Sequence, residues 1–193
     1  MERGDAEIVA AVMGGDREAF RLLVERYHRP VLASARQILG HAELAQDAAQ
    51  ETFIEAFRAL GHLKDPAKFR PWLYGILRHR CLKVRAAAGP PTLPLDDRCE
   101  RAFEAWDMPA DTGSPILSLL RQLSPDDREL LAARYLHELS YAEIASVLQI
   151  TCGAVRVRCL RARERLRQVI ARQDANEREM LRCERTAVAG PRR

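Results

Sequence analysis

Arg156, Val157, Leu160 and Arg161 cluster in one short segment, and the two arginines are types that suit contact with duplex DNA. A guanidinium can bond a guanine edge through two hydrogen bonds or neutralise a phosphate. The same charges also fit an arginine-rich, solvated helix of an ordinary α-bundle. The frame around them favours DNA. Ser140 and Glu143 form an S-x-x-E capping box that starts a short helix, with Ile144, Val147 and Leu148 on its buried face. Ala145 is small where a second helix would cross closely. Gln149 and Ile150 make a turn, and Thr151 caps the next helix. There Val155, Cys159, Ala162, Leu166 and Val169 recur as one helical stripe, which turns Arg156, Val157, Leu160 and Arg161 outward. This is a helix–turn–helix whose second helix suits the major groove.

A second constellation lies upstream. Lys64, Lys68, Arg70, Arg78, His79, Arg80, Lys83 and Arg85 are interleaved with Phe69, Trp72 and Tyr74. Cations that track phosphates, beside rings that stack on bases, are how single-stranded nucleic acid is held. The alternative for Phe69 and Trp72 is core packing, and the two readings can coexist. Pro71 suits the first turn of a helix whose buried side is Trp72, Leu73, Ile76, Leu77 and Val84. Asp47, Gln50, Glu51 and Glu55 share a polar helix face with Phe53 beside it. That face reads either as solvated or as a protein-docking surface with one aromatic anchor.

Nothing in the chain reads as catalytic. It has no P-loop, no nucleophile–base arrangement and no metal-ligand cluster, and His79 has no second ligand near it. No enzyme activity, metal or cofactor is expected. The five cysteines form no C-x-x-C pair. Cys159 reads as a small buried hydrophobe. Cys152 stands near a helix start, where a thiol is more reactive, and Cys81, Cys99 and Cys183 have no partner spacing.

The chain has 193 residues, 47% hydrophobic and 30% charged, enough to bury one core or two small ones. Its net charge is +4 and its pI about 9.0, but the charge is segregated. Residues 61–87 hold seven Lys/Arg against Asp65, residues 154–173 hold seven Arg against Glu164, and residues 88–113 hold six acids against Arg98 and Arg101. Two basic patches around an acidic link suggest two contacts on a polyanion. No apolar run approaches the ~18 residues of a membrane span, and the N-terminus lacks a signal-peptide core. A cytoplasmic protein without membrane insertion is expected.

The elements that must position these residues are all helical. Residues 1–15 read as an N-terminal extension. Asp16 caps a helix to Leu39, carrying Phe20, Leu23, Val24, Tyr27, Val31 and Ala35 inward, with Pro30 inside it and Gly40 at its end. A second helix from Ala42 to Leu60 turns Leu44, Ala48, Phe53, Ala56, Phe57 and Leu60 toward the first. Residues 16–87 make the first domain, and the Pro-rich acidic segment 88–113 a flexible linker. Residues 114–170 make the second domain. It opens with a short helix to Leu123, followed by one capped by Ser124 with Pro125 at its first position. Residues 171–193 form a tail whose ERTAVAGPRR end reads as disordered.

Two stretches coincide: AFRLLVERYHRPVLASARQILG…AQDAAQETFIEAFRAL…FRPWLYGILRHRCL, and LRQLSPDDRELLAARYLHELSYAEIASVLQI…GAVRVRCLRARERL. Together they resemble the extracytoplasmic-function (group 4) sigma factors of the bacterial sigma-70 family. The resemblance implies an all-α fold of two small helical domains, a sigma region 2 bundle and a sigma region 4 helix–turn–helix. It implies binding to core RNA polymerase and direction to promoters, in a stress-responsive regulon, with an anti-sigma factor as further partner. By resemblance, Asp47, Gln50, Glu51 and Phe53 lie in the A-x-D-x-x-Q-x-x-F segment that docks on the polymerase. Lys64, Lys68, Phe69, Arg70, Trp72, Arg78, His79 and Lys83 fall in the stretch that captures the −10 element as single strand. Thr151, Arg156, Val157, Leu160 and Arg161 fall in the reader of the duplex −35 element. The sequence departs from the family with His79 for Asn, Lys83 for Asp, Gln149 for Gly, Ala154 for Thr and Val157 for Ser. An apolar Val157 is suited to a thymine methyl.

Two other readings remain open. A stand-alone helix–turn–helix regulator would bind a palindromic duplex as a dimer and leaves the first domain without a task. A protein-sequestering adaptor would lack DNA affinity and salt sensitivity.

Overall fold

The structure, a computed structural model, describes residues 3–87, 119–120 and 122–188, with side chains to Gln173 and at Ala175. Among these residues there is no strand. The acidic linker, the start of the helix before Leu123 and the last five residues lie outside the described residues.

Helix α1 (Asp5–Met13) occupies the stretch expected to be an extension, and its Ile8 and Val9 are fully buried. The Gly4 amide donates to Glu7 at 3.1 Å, and Asp5 is tied to Arg26 and to the Tyr27 hydroxyl. The six apolar residues Ile8 to Met13 are too short and too uniform a run to reveal an amphipathic face by periodicity, yet Ile8, Val9 and Val12 are enough to join a core. Asp16 accepts from the Ala19 amide at 3.2 Å and opens a single 3₁₀ turn, from which α2 (Phe20–Leu39) continues. The expected stripe is inside, with Leu23, Val31 and Ala35 fully buried. The helix passes through Pro30 and stops at Gly40, whose φ of 68° is the left-handed end position that glycine adopts without strain.

Helix α3 (Ala42–Ala59) presents a face of small residues, Ala45, Ala48, Ala49 and Ala56, to its neighbours α2 and α4 (Phe69–Ala87). Small side chains let three helices approach closely; Ala48, Phe53, Ala56 and Leu60 are inside as expected, and Ala45 and Ala49 join them. Leu44 and Phe57, expected inside, are exposed, and Phe57 makes an edge contact with Phe20. Helix α4 buries Phe69, Leu73, Tyr74, Leu77 and Cys81. Burial pushes the Cys81 thiol up to about 12, so it packs as an inert hydrophobe.

The second half begins with α5 (Pro125–Leu131). Ser124 caps it by accepting from the Asp127 amide at 3.2 Å, and a π turn over Ala132–Leu136 follows. Helix α6 (Tyr141–Leu148) and helix α7 (Cys152–Val188) complete the chain. Helix α7 takes in residues 184–188 of the tail expected to be disordered. The two halves are not separate bodies. Leu130, Ala133, Leu139, Ile144, Val155 and Cys159 share one hydrophobic cluster with the core of the first half. A smaller cluster of Leu119, Leu123, Leu131, Ala162 and Val169 belongs to the second half alone.

The turn between α6 and α7 carries strain. Gln149 ends α6 at φ 54° and ψ 42°, the left-handed conformation that costs a side-chain-bearing residue about 1–2 kcal/mol. Gln149→Gly should stabilise the protein by about 1 kcal/mol, seen as a higher thermal midpoint. A midpoint that stays the same or falls would contradict this account of the turn.

Candidate nucleic-acid and polymerase interfaces

The helix–turn–helix assembles as its sequence dictates. Ser140 Oγ accepts from the Glu143 amide at 3.3 Å while Glu143 accepts from the Ser140 amide at 2.9 Å, closing the capping box. Thr151 Oγ1 accepts from the Ala154 amide at 3.2 Å and starts α7. Val155, Cys159, Ala162 and Val169 are buried, and Cys152 is half-buried against the core. The outer face carries exposed Arg156, Val157, Leu160 and Arg161. Arg156 leans toward the Tyr141 ring, 6.0 Å from its centroid, with Arg134 also over that ring at 5.1 Å.

The cationic surface of α4 and its leading loop is only partly free. Lys64, His79 and Lys83 are exposed. Lys68 meets Glu143 at 3.4 Å, Arg70 meets Glu138 at 2.7 Å, and Arg78 meets Glu129 at 2.6 Å. All three acids come from the second half of the chain. Glu143 is pushed up by burial, but its bonds to the Ser140 hydroxyl and amide and to Lys68 hold it below its usual range. Arg70 also donates to the Tyr27 hydroxyl at 3.2 Å. Phe69 is fully buried and tilts against Tyr27 and Trp72, so it is a core ring and not an exposed stacking platform. Trp72 is half-buried. It lines a groove of about 750 Å³ with Lys64, Lys68 and His79 on one wall and Ser140, Glu143 and Val147 on the other. The groove therefore lies between the face expected to hold single strand and the first helix of the helix–turn–helix.

The acidic face of α3 stands apart from this junction. Asp47, Gln50 and Glu51 are exposed. Phe53 is 8% exposed and belongs to the core, so the expectation of an exposed aromatic anchor there does not hold. The helix period that turns Ala49, Thr52 and Ala56 inward carries Phe53 with them. Arg80 of α4 is bonded to Glu55 and lies 3.8 Å from Glu51, which fixes one end of the acidic row.

A buried polar node joins the halves and was not legible in the sequence. Ser34 of α2 and Nε2 of His137 are 2.7 Å apart, with the Tyr74 ring 4.5 Å from the imidazole. His137 is 3% exposed. Burial, with Arg70 adding to it, lowers His137 to about 4, so the ring is neutral near pH 7. The Tyr74 hydroxyl donates to the Glu129 carbonyl at 3.4 Å, beside the Arg78–Glu129 pair. The one sequence signal was Ser34 itself, a polar residue one position before the last member of the α2 stripe.

Comparison with known proteins agrees with this layout. The sigma-70 region 2 model matches residues 23–89 and the sigma-70 region 4 model residues 114–166. The chain is 36% identical over 174 residues to an RNA polymerase sigma-H factor of Pseudomonas aeruginosa, covering 83% of this chain and 90% of that one. It is 34% identical over 172 residues to the ECF RNA polymerase sigma factor SigM of Mycobacterium tuberculosis, covering 88% and 86%. Among solved structures, CnrH in complex with the cytosolic domain of CnrY is similar with a TM-score of 0.61 at 25% identity, over 86% of this chain and 97% of that one. The sigma factor RpoE of Bartonella quintana shares the fold with a TM-score of 0.61 at 21% identity, over 79% and 96%. Among the described residues no helix is long and apolar enough to cross a membrane.

Proposed function

The chain belongs to the sigma-70 family as an extracytoplasmic-function RNA polymerase sigma factor, and from that premise we propose how its surfaces divide the work. Asp47, Gln50 and Glu51 on α3 dock on core polymerase. Lys64, Lys68, Arg70, Trp72, Arg78, His79 and Lys83 hold the unpaired −10 strand. Thr151, Arg156, Val157, Leu160 and Arg161 meet the duplex −35 element. RNA synthesis belongs to the polymerase, in the cytoplasm. The sigma factor contributes differential affinity for the open strand, which pulls the melting equilibrium forward. Family membership together with the basic face of α4 carries this reading.

The two promoter surfaces adjoin in the structure, since Lys68 reaches Glu143 within the capping box of the helix–turn–helix. Elements centred on positions −10 and −35 lie about 25 steps apart, roughly 85 Å at 3.4 Å per step. One protein can touch both only after α5–α7 leaves α4, so the arrangement seen here is the unengaged form. CnrH in complex with the cytosolic domain of CnrY supports a protein partner for this chain too, and we propose that it is an anti-sigma factor.

Run-off transcription with purified bacterial core polymerase on pooled promoter fragments tests the whole reading. Discrete transcripts that depend on this protein are expected, and their upstream regions give both elements. Duplex binding without transcripts would favour the stand-alone regulator. Asp47→Ala with Gln50→Ala should lower affinity for core polymerase about tenfold or more while leaving the thermal midpoint unchanged, because both side chains are exposed. Unchanged co-purification with core enzyme would remove α3 from the docking surface.

A further inference from the structure

Helix α7 has two apolar stripes, and the packing accounts for only one. Val155, Cys159 and Ala162 face the core. Gly153, Val157 and Leu160, spaced by four and three, lie on the opposite side. Val157 is 47% exposed and Leu160 64% exposed. Single exposed apolar residues are ordinary. Two on neighbouring turns, in the first turns of a helix otherwise loaded with arginine, leave an apolar strip of a kind a partner covers. Gly153 adds an independent observation. A Cβ built there meets nothing within 4 Å, so among the described residues no neighbour requires a glycine. Glycine in a helix costs stability relative to alanine, and a close external approach to the backbone is a reason to keep it.

The charge around the strip selects its occupant. Arg156 and Arg161 flank it, and beside it Arg158 and Arg161 line a cleft whose acids are partly spoken for, Asp127 by Arg165 and Glu129 by Arg78. An apolar protein surface or lipid tail would bury these guanidinium groups at a cost. The major groove of DNA brings phosphates to the arginines, and the apolar group it displays on its floor is the thymine methyl. Side chains three residues apart have Cβ atoms about 5–6 Å apart, a span of one to two base-pair steps.

We infer that Val157 and Leu160 read thymine methyl groups, one each, at two positions one or two steps apart in the −35 duplex, and that Gly153 lets the start of α7 sit close against the groove. This rests on the reading of α7 as the −35 helix and adds the base feature it selects.

The test uses holoenzyme assembled from core polymerase and the full chain. A randomised upstream duplex is enriched for binding, and each thymidine of the enriched site is then replaced in turn by deoxyuridine. This removes one methyl and leaves the base pairing intact. Loss of a buried methyl should weaken binding about fourfold at each of two positions. Val157→Ala should abolish the discrimination at one position and Leu160→Ala at the other. Gly153→Ala should weaken binding without lowering the thermal midpoint. An enriched site that binds equally with thymidine and deoxyuridine throughout overturns the methyl reading alone. Failure to enrich any duplex removes the −35 assignment and the inference with it.

Discussion

Neutralising Glu129, Glu138 and Glu143 together by Glu→Gln raises the affinity of the free protein for a −10 single strand by on the order of 30-fold. The estimate follows from the three ion pairs across the junction. Arg78 and Glu129 are both mostly buried side chains, 28% and 17% exposed, and are joined by a 2.6 Å charged hydrogen bond. A bond of that kind contributes about 1.5–3 kcal/mol. Lys68–Glu143 and Arg70–Glu138 each include a more exposed partner, and exposed pairs contribute at most about 1 kcal/mol apiece. Loss of all three pairs favours separation of the halves by about 1.5–5 kcal/mol. The apparent affinity then rises until the open form predominates, after which no further gain is available. Glutamine keeps the reciprocal bonds with Ser140, since the capping box accepts either residue, so α6 still starts at Tyr141.

The measurement is fluorescence anisotropy with a labelled single strand from a mapped promoter, on free protein and on holoenzyme. On the proposed function the halves are apart in holoenzyme, so the triple variant and the wild type should bind alike. Equal affinity of the two free proteins would show that the junction does not compete with the strand. A gain of equal size in holoenzyme would show that the acids act by simple repulsion of DNA.

The sequence carried the helix–turn–helix almost completely, because its signals are local. The Ser140–Glu143 box, the Thr151 cap and the Val155–Cys159–Ala162 stripe each depend on residues within a turn or two of one another. The α2 stripe and the Gly40 stop were legible for the same reason. What was not legible depends on residues far apart in the chain. Ser34 and His137 meet across 103 positions, and Arg70 and Glu138 across 68. No periodicity announces such pairs. On helix α3 only the edges of the buried face departed from the expectation, because alanine is a weak pattern signal, yet close helix crossing prefers Ala45 and Ala49 to Leu44 and Phe57. The same limit applied to Phe53 and Phe69. An aromatic beside polar or basic residues fits both an anchor and a core ring, and only the packing decided for core.

Acidification should loosen the protein through His137, with about 2 kcal/mol lost by pH 5 relative to a variant without the imidazole. The imidazole stands at about 4 in the folded chain and at its ordinary 6.5 when exposed. Between those values the unfolded or separated form binds the proton and the closed form does not, so stability rises with pH across that window. The contribution is complete above pH 6.5 and is lost progressively as pH falls toward 4. At 1.36 kcal/mol per pH unit, pH 5 removes about 2 kcal/mol and the full window about 3. The groups around the ring give a proton little help. Ser34 and the Tyr74 ring are neutral, Tyr74 is held protonated by burial, and the nearby Arg70 is cationic. Other carboxylates titrate in the same range, so the informative quantity is the difference between wild type and His137→Gln. Glutamine stays neutral and can still bond Ser34. Thermal midpoints from pH 7 to pH 5 should fall more steeply for wild type than for His137→Gln. Parallel slopes would mean that the ring is reached by water or a counter-charge in the closed form, and His137 would then be only a packing residue. Because the node sits where α2 and α4 meet the segment after α5, its protonation acts on the junction that covers the face proposed to hold the −10 strand. Single-strand binding by the free wild-type protein should therefore strengthen on mild acidification, while binding by His137→Gln changes less.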